Sequence, residues 1–253
     1  MLPQQRRQKI FELIREDGQA KVLDLSRIFK VTEVTIRQDL EKLEDEGLVV
    51  REHGGARLKD IGISVRNIEL LSKENMPHKS SIAQKALELI NDGDTIILDS
   101  GSTLTELAKL VPGFKNLTVI TNALNIALIL GADPDINLIL TGGEFKAPTL
   151  SLTGEKAADS LNGLHVDKLF LATAGITLKS GLTYPSISDI VVKRAMIESA
   201  EEVYLLADSS KIGKSSFASL GALSLIDYLI TDSNIREEDK DLFLQNDIKL
   251  IIA

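Results

Sequence analysis

Over the first sixty residues, apolar positions recur at helical spacing three times and then change period. In "RRQKIFELIREDG", Ile10, Phe11, Leu13 and Ile14 share one helical stripe, and Gly18 supplies a natural C-cap. "VLDLSRIFK" repeats the pattern in a shorter helix with Leu25, Ile28 and Phe29 inward. A short turn, "KVT", follows, and Thr32 is suited to cap a third helix. In that helix Ile36, Leu40 and Leu43 fall at i, i+4 and i+7, the spacing of a buried face. Val34, Thr35, Gln38, Glu41 and Lys42 then point outward, with Arg37 on the shoulder and Gly47 as the stop. "LVVREHGGARL" reads as two short strands around a Gly-Gly turn. Three helices and a hairpin predict a small winged helix-turn-helix domain over residues 1–57, whose third helix enters a DNA major groove.

Residues 58–76 carry no sustained apolar period and read as a linker with partial structure. Pro77 precedes a helix, "SSIAQKALELI", closed by "NDGD". From there strands and helices alternate. "TIILDS", "LTVITN", "INLILTGG", "DKLFLATAG", "VYLLADSS", "YLITD" and "IKLIIA" read as strands. "STLTELAKLV", "ALNIALIL", "EKAADSLNGL" and "ISDIVVKRAMIESA" read as the helices among them. Strands apolar along their whole length imply a parallel sheet covered on both faces, and the alternation implies an α/β layer fold. The expected fold class is α/β: the winged domain, then a mostly parallel sheet with helices on both faces over residues 77–253.

Charge refines this division. The net charge of −8 argues at first against nucleic acid, but its distribution matters more. Residues 1–57 hold 11 Lys/Arg and 11 Asp/Glu, so all of the excess negative charge lies beyond them. A neutral module binds DNA if its basic residues share one face, with weak non-specific affinity and strong salt dependence. The absence of cysteine excludes disulfides and thiolate metal sites and fits a reducing cytosol. No signal-peptide core and no membrane-length apolar run is present, so a cytoplasmic protein without a membrane partner is expected. His53, His78 and His165 are scattered, and neither a metal nor a cofactor is expected.

In parallel sheets of this kind ligands sit beyond the carboxyl ends of the strands. The residues following the strands are small and polar: Asp99-Ser100-Gly101-Ser102-Thr103, Thr121-Asn122, Thr141-Gly142-Gly143, Thr173-Ala174-Gly175 and Asp208-Ser209-Ser210-Lys211. "DSGST" at a strand-to-helix junction combines free backbone N–H groups, two hydroxyls and a glycine, a cradle for an anion such as a phosphate monoester. The bland reading is an ordinary capped turn, because Ser and Thr favour helix starts. Lys211, on another strand-end loop, is placed to supply the balancing cation. Asp99 would repel a phosphate and is assigned to sugar hydroxyls or a structural hydrogen bond. No dinucleotide fingerprint and no Walker A run appears.

Both halves resemble one family. "LSRIFKVTEVTIRQDLEKLEDEGLVVREHGGARL" resembles the N-terminal signature of DeoR-type bacterial transcription regulators, which carry a "VS-x-x-TIRRDL" helix and an "R-x-HGGA" wing. Two departures stand out: Gln38 replaces the second arginine, and Ser26 replaces an alanine in the second helix. Glutamine still reads adenine bidentately, so the operator is expected to differ rather than disappear. "DGDTIILDSGSTLTELA", "LTVITNALNIA", "LILTGGEF", "DKLFLATAGI" and "LLADSSKIG" resemble the sensor domain of the same regulators, which is similar in fold to ribose-5-phosphate isomerase. The resemblance implies a repressor that binds operator DNA as a dimer or tetramer and responds to a phosphorylated sugar or sugar-derived metabolite. On this reading Thr35, Arg37 and Gln38 meet base edges or nearby phosphates. Arg51, His53 and Arg57 carry the wing to the backbone or minor groove, and Gly54 and Gly55 let it turn. Ser100, Gly101, Ser102 and Thr103 form the phosphate loop, with Asp99, Thr121, Asn122, Gly142, Gly143, Asp208 and Lys211 as ligand neighbours.

Two rivals differ in kind. A sugar-phosphate isomerase needs a general base and an enediolate stabiliser. The isomerases resembled here cluster acids where this chain has "ATAG", with no carboxylate, leaving only Glu144 and Asp189 as bases, so no enzyme is expected. A ligand-free DNA-bending protein has little use for several polar loops facing one way.

Overall fold

A computed structural model describes residues 2–17, 19–52, 54–58 and 74–253, with only the backbone of residues 15–17, 58 and 148. The expected cap at Gly18, the wing residue His53 and most of the expected linker lie outside these residues. The chain divides into two compact units, Met1–Asn67 with Ala147–Thr149, and Ile68–Lys146 with Leu150–Ala253.

The first unit contains α1 (Pro3–Asp17), β1 (Gln19–Lys21), α2 (Val22–Phe29), α3 (Glu33–Asp45), β2 (Val49–Glu52) and β3 (Gly55–Leu58). Its core joins Ile10 and Ile14 of α1, Val22 and Leu25 of α2, Ile36, Leu40 and Leu43 of α3, and Val49 and Ala56 of the hairpin. Phe11, Leu13, Ile28 and Phe29 pack against this core half-buried rather than inside it. Thr32 caps α3, its hydroxyl accepting from the Thr35 N–H at 3.2 Å. At the other end Gly47, at φ 73°, lets its own N–H and that of Leu48 return to the carbonyls of Glu44 and Leu43. These paired returns satisfy carbonyls that a helix end otherwise leaves open.

The wing is a three-stranded antiparallel sheet ordered β1-β3-β2, where the periodicity predicts two strands. Strand β1 is three residues long and largely polar, which leaves no alternating signal to read. It pairs because Gly55 has no side chain: a Cβ there would run into the Ala20 carbonyl.

The second unit is built on seven parallel strands ordered β15-β14-β12-β9-β4-β5-β6. They are β4 (Thr95–Leu98), β5 (Leu117–Thr121), β6 (Ile136–Leu140), β9 (Val166–Leu171), β12 (Ala200–Leu206), β14 (Tyr228–Thr231) and β15 (Lys249–Ile252). Successive strand residues face opposite layers. Ile96, Leu98, Val119, Phe170 and Leu206 pack toward α4 (Met76–Leu87), α5 (Ser102–Leu110) and α6 (Leu124–Leu130). Ile97, Ile120, Leu169, Leu171 and Leu205 pack toward α7 (Glu155–Asp159), α8 (Ile187–Glu198) and α9 (Glu237–Leu244). Two apolar layers on one sheet explain why these strands read as continuous hydrophobic runs.

Three additions were absent from the pattern, one of them helix α9 between β14 and β15. A hairpin joins β7 (Glu144–Lys146) to β8 (Ser151–Thr153). A small antiparallel sheet joins β10 (Gly175–Thr177), β11 (Gly181–Tyr184) and β13 (Ala218–Gly221). Each of these strands has three or four residues, below the length at which alternation becomes visible.

Candidate DNA face and strand-end site

On the first unit, α3 turns Val34, Arg37, Gln38, Glu41 and Lys42 to solvent. The hydroxyl of Thr35 is engaged with the cap, 2.9 Å from that of Thr32. Arg37 donates to Glu33 one turn earlier at 2.8 Å. From the wing, the Arg51 N–H donates to Glu44 at 2.8 Å, and its guanidinium lies 3.6 Å from Glu41 and 3.9 Å from Glu44. Arg57 donates to Glu52 at 2.5 Å. Gly54 takes φ 84° at the exposed turn. Thr35, Arg37 and Gln38 thus sit together on the first half of α3, and Arg51 ties the wing to that helix.

The inner side of α3 carries a structural residue that periodicity does not single out. Asp39 is buried and held by Arg6 of α1, with Nε to Oδ2 at 2.5 Å and Nη2 to Oδ1 at 3.3 Å. Two parallel N–H···O bonds fix the orientation of α3 as well as its position. The available signal was spacing, because Asp39 lies three residues after Ile36 on the apolar face.

In the second unit a parallel sheet brings every predicted ligand residue to one edge, since all strands end there. Strand order then spreads them out. Neighbouring strands lie about 4.8 Å apart, so the β6 and β12 ends are separated by four spacings, on the order of 19 Å. Gly142 and Gly143 after β6, and Asp208 and Lys211 after β12, flank β4 on opposite sides. A ligand touching both groups would have to bridge that separation.

Packing accounts for part of the set. The Gly142 N–H donates to Ser160 Oγ at 2.9 Å. A Cβ on Gly143 would meet the Thr153 carbonyl and Ala157 at under 3 Å. Thr121 is fully buried, donating to the Leu98 carbonyl at 2.7 Å and accepting from the Ala123 N–H at 3.1 Å. Asn122 donates to the Leu152 carbonyl, while its Oδ1 and the Thr141 hydroxyl are buried without a partner among the described residues.

At the end of β4, Asp99 is wholly buried against Lys193 of α8, whose Nζ lies 2.6 Å from both carboxylate oxygens. Asp99 also accepts from the Ala172 N–H at 3.0 Å, joining the ends of β4 and β9. Tyr184 donates to the Ala172 carbonyl at 2.7 Å and lies under the Lys193 ammonium at 4.8 Å. Burial, then the Asp99 charge, pushes the Tyr184 hydroxyl well above its usual range. Asp99 is therefore a structural anchor beneath the loop.

The loop itself opens α5. Gly101 takes φ 149° and rests on Ala172, where a Cβ would come within 3.0 Å. No side chain caps the helix and no acid occupies its first turn. Ser102 is half-buried and Thr103 buried. Nearby Lys79 of α4 is buried and interacts electrostatically with Asp208, Lys211, Glu74 and Glu106, burial being the largest influence and holding its ammonium below the usual pKa of 10.5. Neither Lys79 nor Lys193 was anticipated, because lysines on amphipathic helices read as solvated.

A cavity of about 290 Å³ opens at the ends of β12 and β14, lined by Asn75, His78, Asp208, Ser209, Asn234 and Arg236 among others. The Ser209 and Ser210 N–H groups already donate to Asp232 and Asp208, at 2.7 and 3.1 Å. Burial opposes the charge on Asp232, but hydrogen bonds from Ser209 and Asn234 outweigh it and leave that carboxyl below its usual value.

Among the described residues no helix is long and apolar enough to cross a membrane. A winged helix-turn-helix with an exposed third helix, followed by a parallel α/β body, defines the class of DNA-binding transcription regulators. Residues 6–61 match the DeoR-like helix-turn-helix domain, and residues 74–233 match the DeoR C terminal sensor domain. The chain belongs to the DeoR family and is a regulator, not an enzyme. It is 38% identical over 239 residues to the uncharacterized HTH-type transcriptional regulator YulB of Bacillus subtilis (strain 168), covering 93% of this chain and 91% of that one. It is 31% identical over 229 residues to the glycerol-3-phosphate regulon repressor of Escherichia coli (strain K12), covering 90% of each. Ribose 5-phosphate isomerase A from Methanocaldococcus jannaschii overlaps 55% of each chain at a TM-score of 0.41 and 18% identity, a likeness too distant to carry chemistry.

Proposed function

We propose that this regulator is a repressor whose grip on its operator is set by a phosphorylated sugar or sugar-derived metabolite. The observation that carries the reading is the start of α5. An uncapped helix N-terminus, free of acids in its first turn, carries Ser102 and Thr103, and the buried Lys79 of α4 interacts electrostatically with Glu106 one turn further along the same helix. Backbone N–H groups, hydroxyls and an ammonium are the donors a phosphate monoester needs. Lys211 adds a second cation on the β12 side, so the phosphate belongs between β4 and β12 rather than toward β6. The hydroxylated remainder then points toward the cavity at the β12 and β14 ends, where carboxylates and side-chain amides suit hydroxyl groups better than a second anion. Gly142 and Gly143 fall outside this pocket. The name of the Escherichia coli relative, a glycerol-3-phosphate regulon repressor, supports a phosphorylated effector.

On the first unit, Arg37 and Gln38 read bases from α3, and Arg51 and Arg57 hold the backbone from the wing. Two-fold operator symmetry calls for at least a dimer. The ligand acts by binding one of two states of that oligomer more tightly, and a strong response requires several kcal/mol of discrimination.

A thermal-shift screen of phosphorylated sugars and phosphorylated glycerol, followed by operator titration with each hit, tests the reading. Ser102→Asp places a carboxylate in the cradle, and is expected to abolish the shift and the response while operator binding persists. A normal response from that variant would remove the cradle from the account.

A further inference from the structure

Every arginine that the described α3 and wing present to solvent is met by a carboxylate of the same surface. Arg37 lies on Glu33, Arg51 between Glu41 and Glu44, and Arg57 on Glu52. All of these side chains are more than a third exposed, the arginines included. An exposed ion pair contributes little to stability, so folding alone gives no reason for so regular a matching. DNA gives one. A bare row of arginines binds any duplex through its phosphates, since that interaction carries no sequence information. A row with built-in carboxylates does not: each glutamate competes with phosphate for the guanidinium and is itself repelled by the duplex. The pair opens favourably only where the arginine meets a geometrically demanding partner, such as a guanine edge or a fixed phosphate.

We infer that Glu33 and Glu52 are specificity determinants, which suppress binding to arbitrary DNA by holding Arg37 and Arg57 until the operator supplies a better partner. The inference rests on the assignment of α3 and the wing to DNA. It adds that part of the discrimination is repulsive: wrong sequences are penalised, over and above any attraction to the right one.

The test uses the full chain, a duplex selected by it from a random pool, and an unselected random duplex, each titrated over a range of salt. Glu33→Gln and Glu52→Gln are expected to raise affinity for the random duplex by about 1.5-fold to fivefold, the scale of one exposed ion pair. Affinity for the selected duplex rises less, so the ratio of the two falls. The salt dependence on random DNA steepens by about one counterion for each carboxylate removed, a change that a merely structural role for these glutamates would not produce. Adding Arg37→Gln to Glu33→Gln is expected to cancel the increase. Equal increases on both duplexes, or none on the random one, overturn the inference. If Arg37→Gln alone leaves binding to both duplexes unchanged, the assignment of the face to DNA fails instead, and the two failures are distinct.

Discussion

The outer face of α3 with the wing, and the interior of the α/β unit, use ion pairs at opposite degrees of burial. On the outer face of α3 and the wing, arginines pair with glutamates in water, Arg37 and Glu33 keeping 55% and 44% of their side-chain surface. In the α/β unit, lysines pair with aspartates inside the protein: Lys193 with Asp99, Lys146 with Asp189, Lys168 with Asp94. Lys193 and Asp99 keep only 5% and 0%. Exposed pairs are screened and readily exchanged, which suits the exchange of partners proposed for this face. Buried pairs are fixed by the cost of leaving either charge alone, which suits the floor of the proposed pocket. Arginine presents a planar fork for bases and phosphates, whereas lysine is a compact charge whose pKa responds to burial.

The largest effects should come from breaking buried pairs. Asp99→Ala leaves the Lys193 ammonium without its carboxylate and the Ala172 N–H without its acceptor. A loss of about 3–5 kcal/mol is expected in denaturant unfolding, carried by the transition of the α/β unit. Arg6→Ala removes the bidentate partner of Asp39 and leaves it only Arg7, 3.8 Å away, so it should cost less than Asp99→Ala, in the winged unit, where Asp39 is the one carboxylate held in a buried pair among the described residues. If Asp99→Ala cost no more than an exposed pair, the contrast between the units would vanish. Arg37→Ala is the intermediate case. It should leave the melting temperature nearly unchanged yet weaken operator binding by about 1–3 kcal/mol in a gel-shift titration, if Arg37 contacts a base. Unchanged affinity would take Arg37 off the DNA face.

This contrast also marks what could be read from the chain alone. The buried face of α3, its Thr32 cap and the seven apolar strands follow local rules of period and capping, so their positions were legible. The polar strand ends were legible too, because strand direction places them. The spread of those ends was not: Gly142 and Lys211 look equivalent until strand order puts β4 between them. Lys79, Lys146 and Lys193 were invisible for a related reason. Each sits in a segment where a lysine normally faces water, and only the arrangement of the sheet places it against an aspartate or in the interior. Strand β1 depended on an approach to Gly55 from residues more than thirty positions earlier, which periodicity does not encode.

The smallest predicted effect probes whether a buried lysine prepares the α/β unit for an anion. Burial holds the Lys79 pKa below 10.5, so the folded state releases this proton before the unfolded chain does. Between the lowered value and 10.5 the unfolded state binds more protons, and stability attributable to Lys79 rises with pH; below that window both states are charged and the cost is constant. Other lysines titrate in the same range, and Lys249, raised by its hydrogen bond to Tyr228, contributes with the opposite sign. The quantity to measure is therefore the difference in melting temperature between the wild-type chain and Lys79→Met across alkaline pH. That difference should shift in favour of the wild type as pH rises. A bound phosphate restores the charged form, so binding in the same window should take up protons in the wild type and not in the variant, as read by calorimetry in buffers of different ionisation enthalpy. Equal proton uptake by both proteins would show that the anion does not feel Lys79, and the phosphate would then have to be sought away from α4.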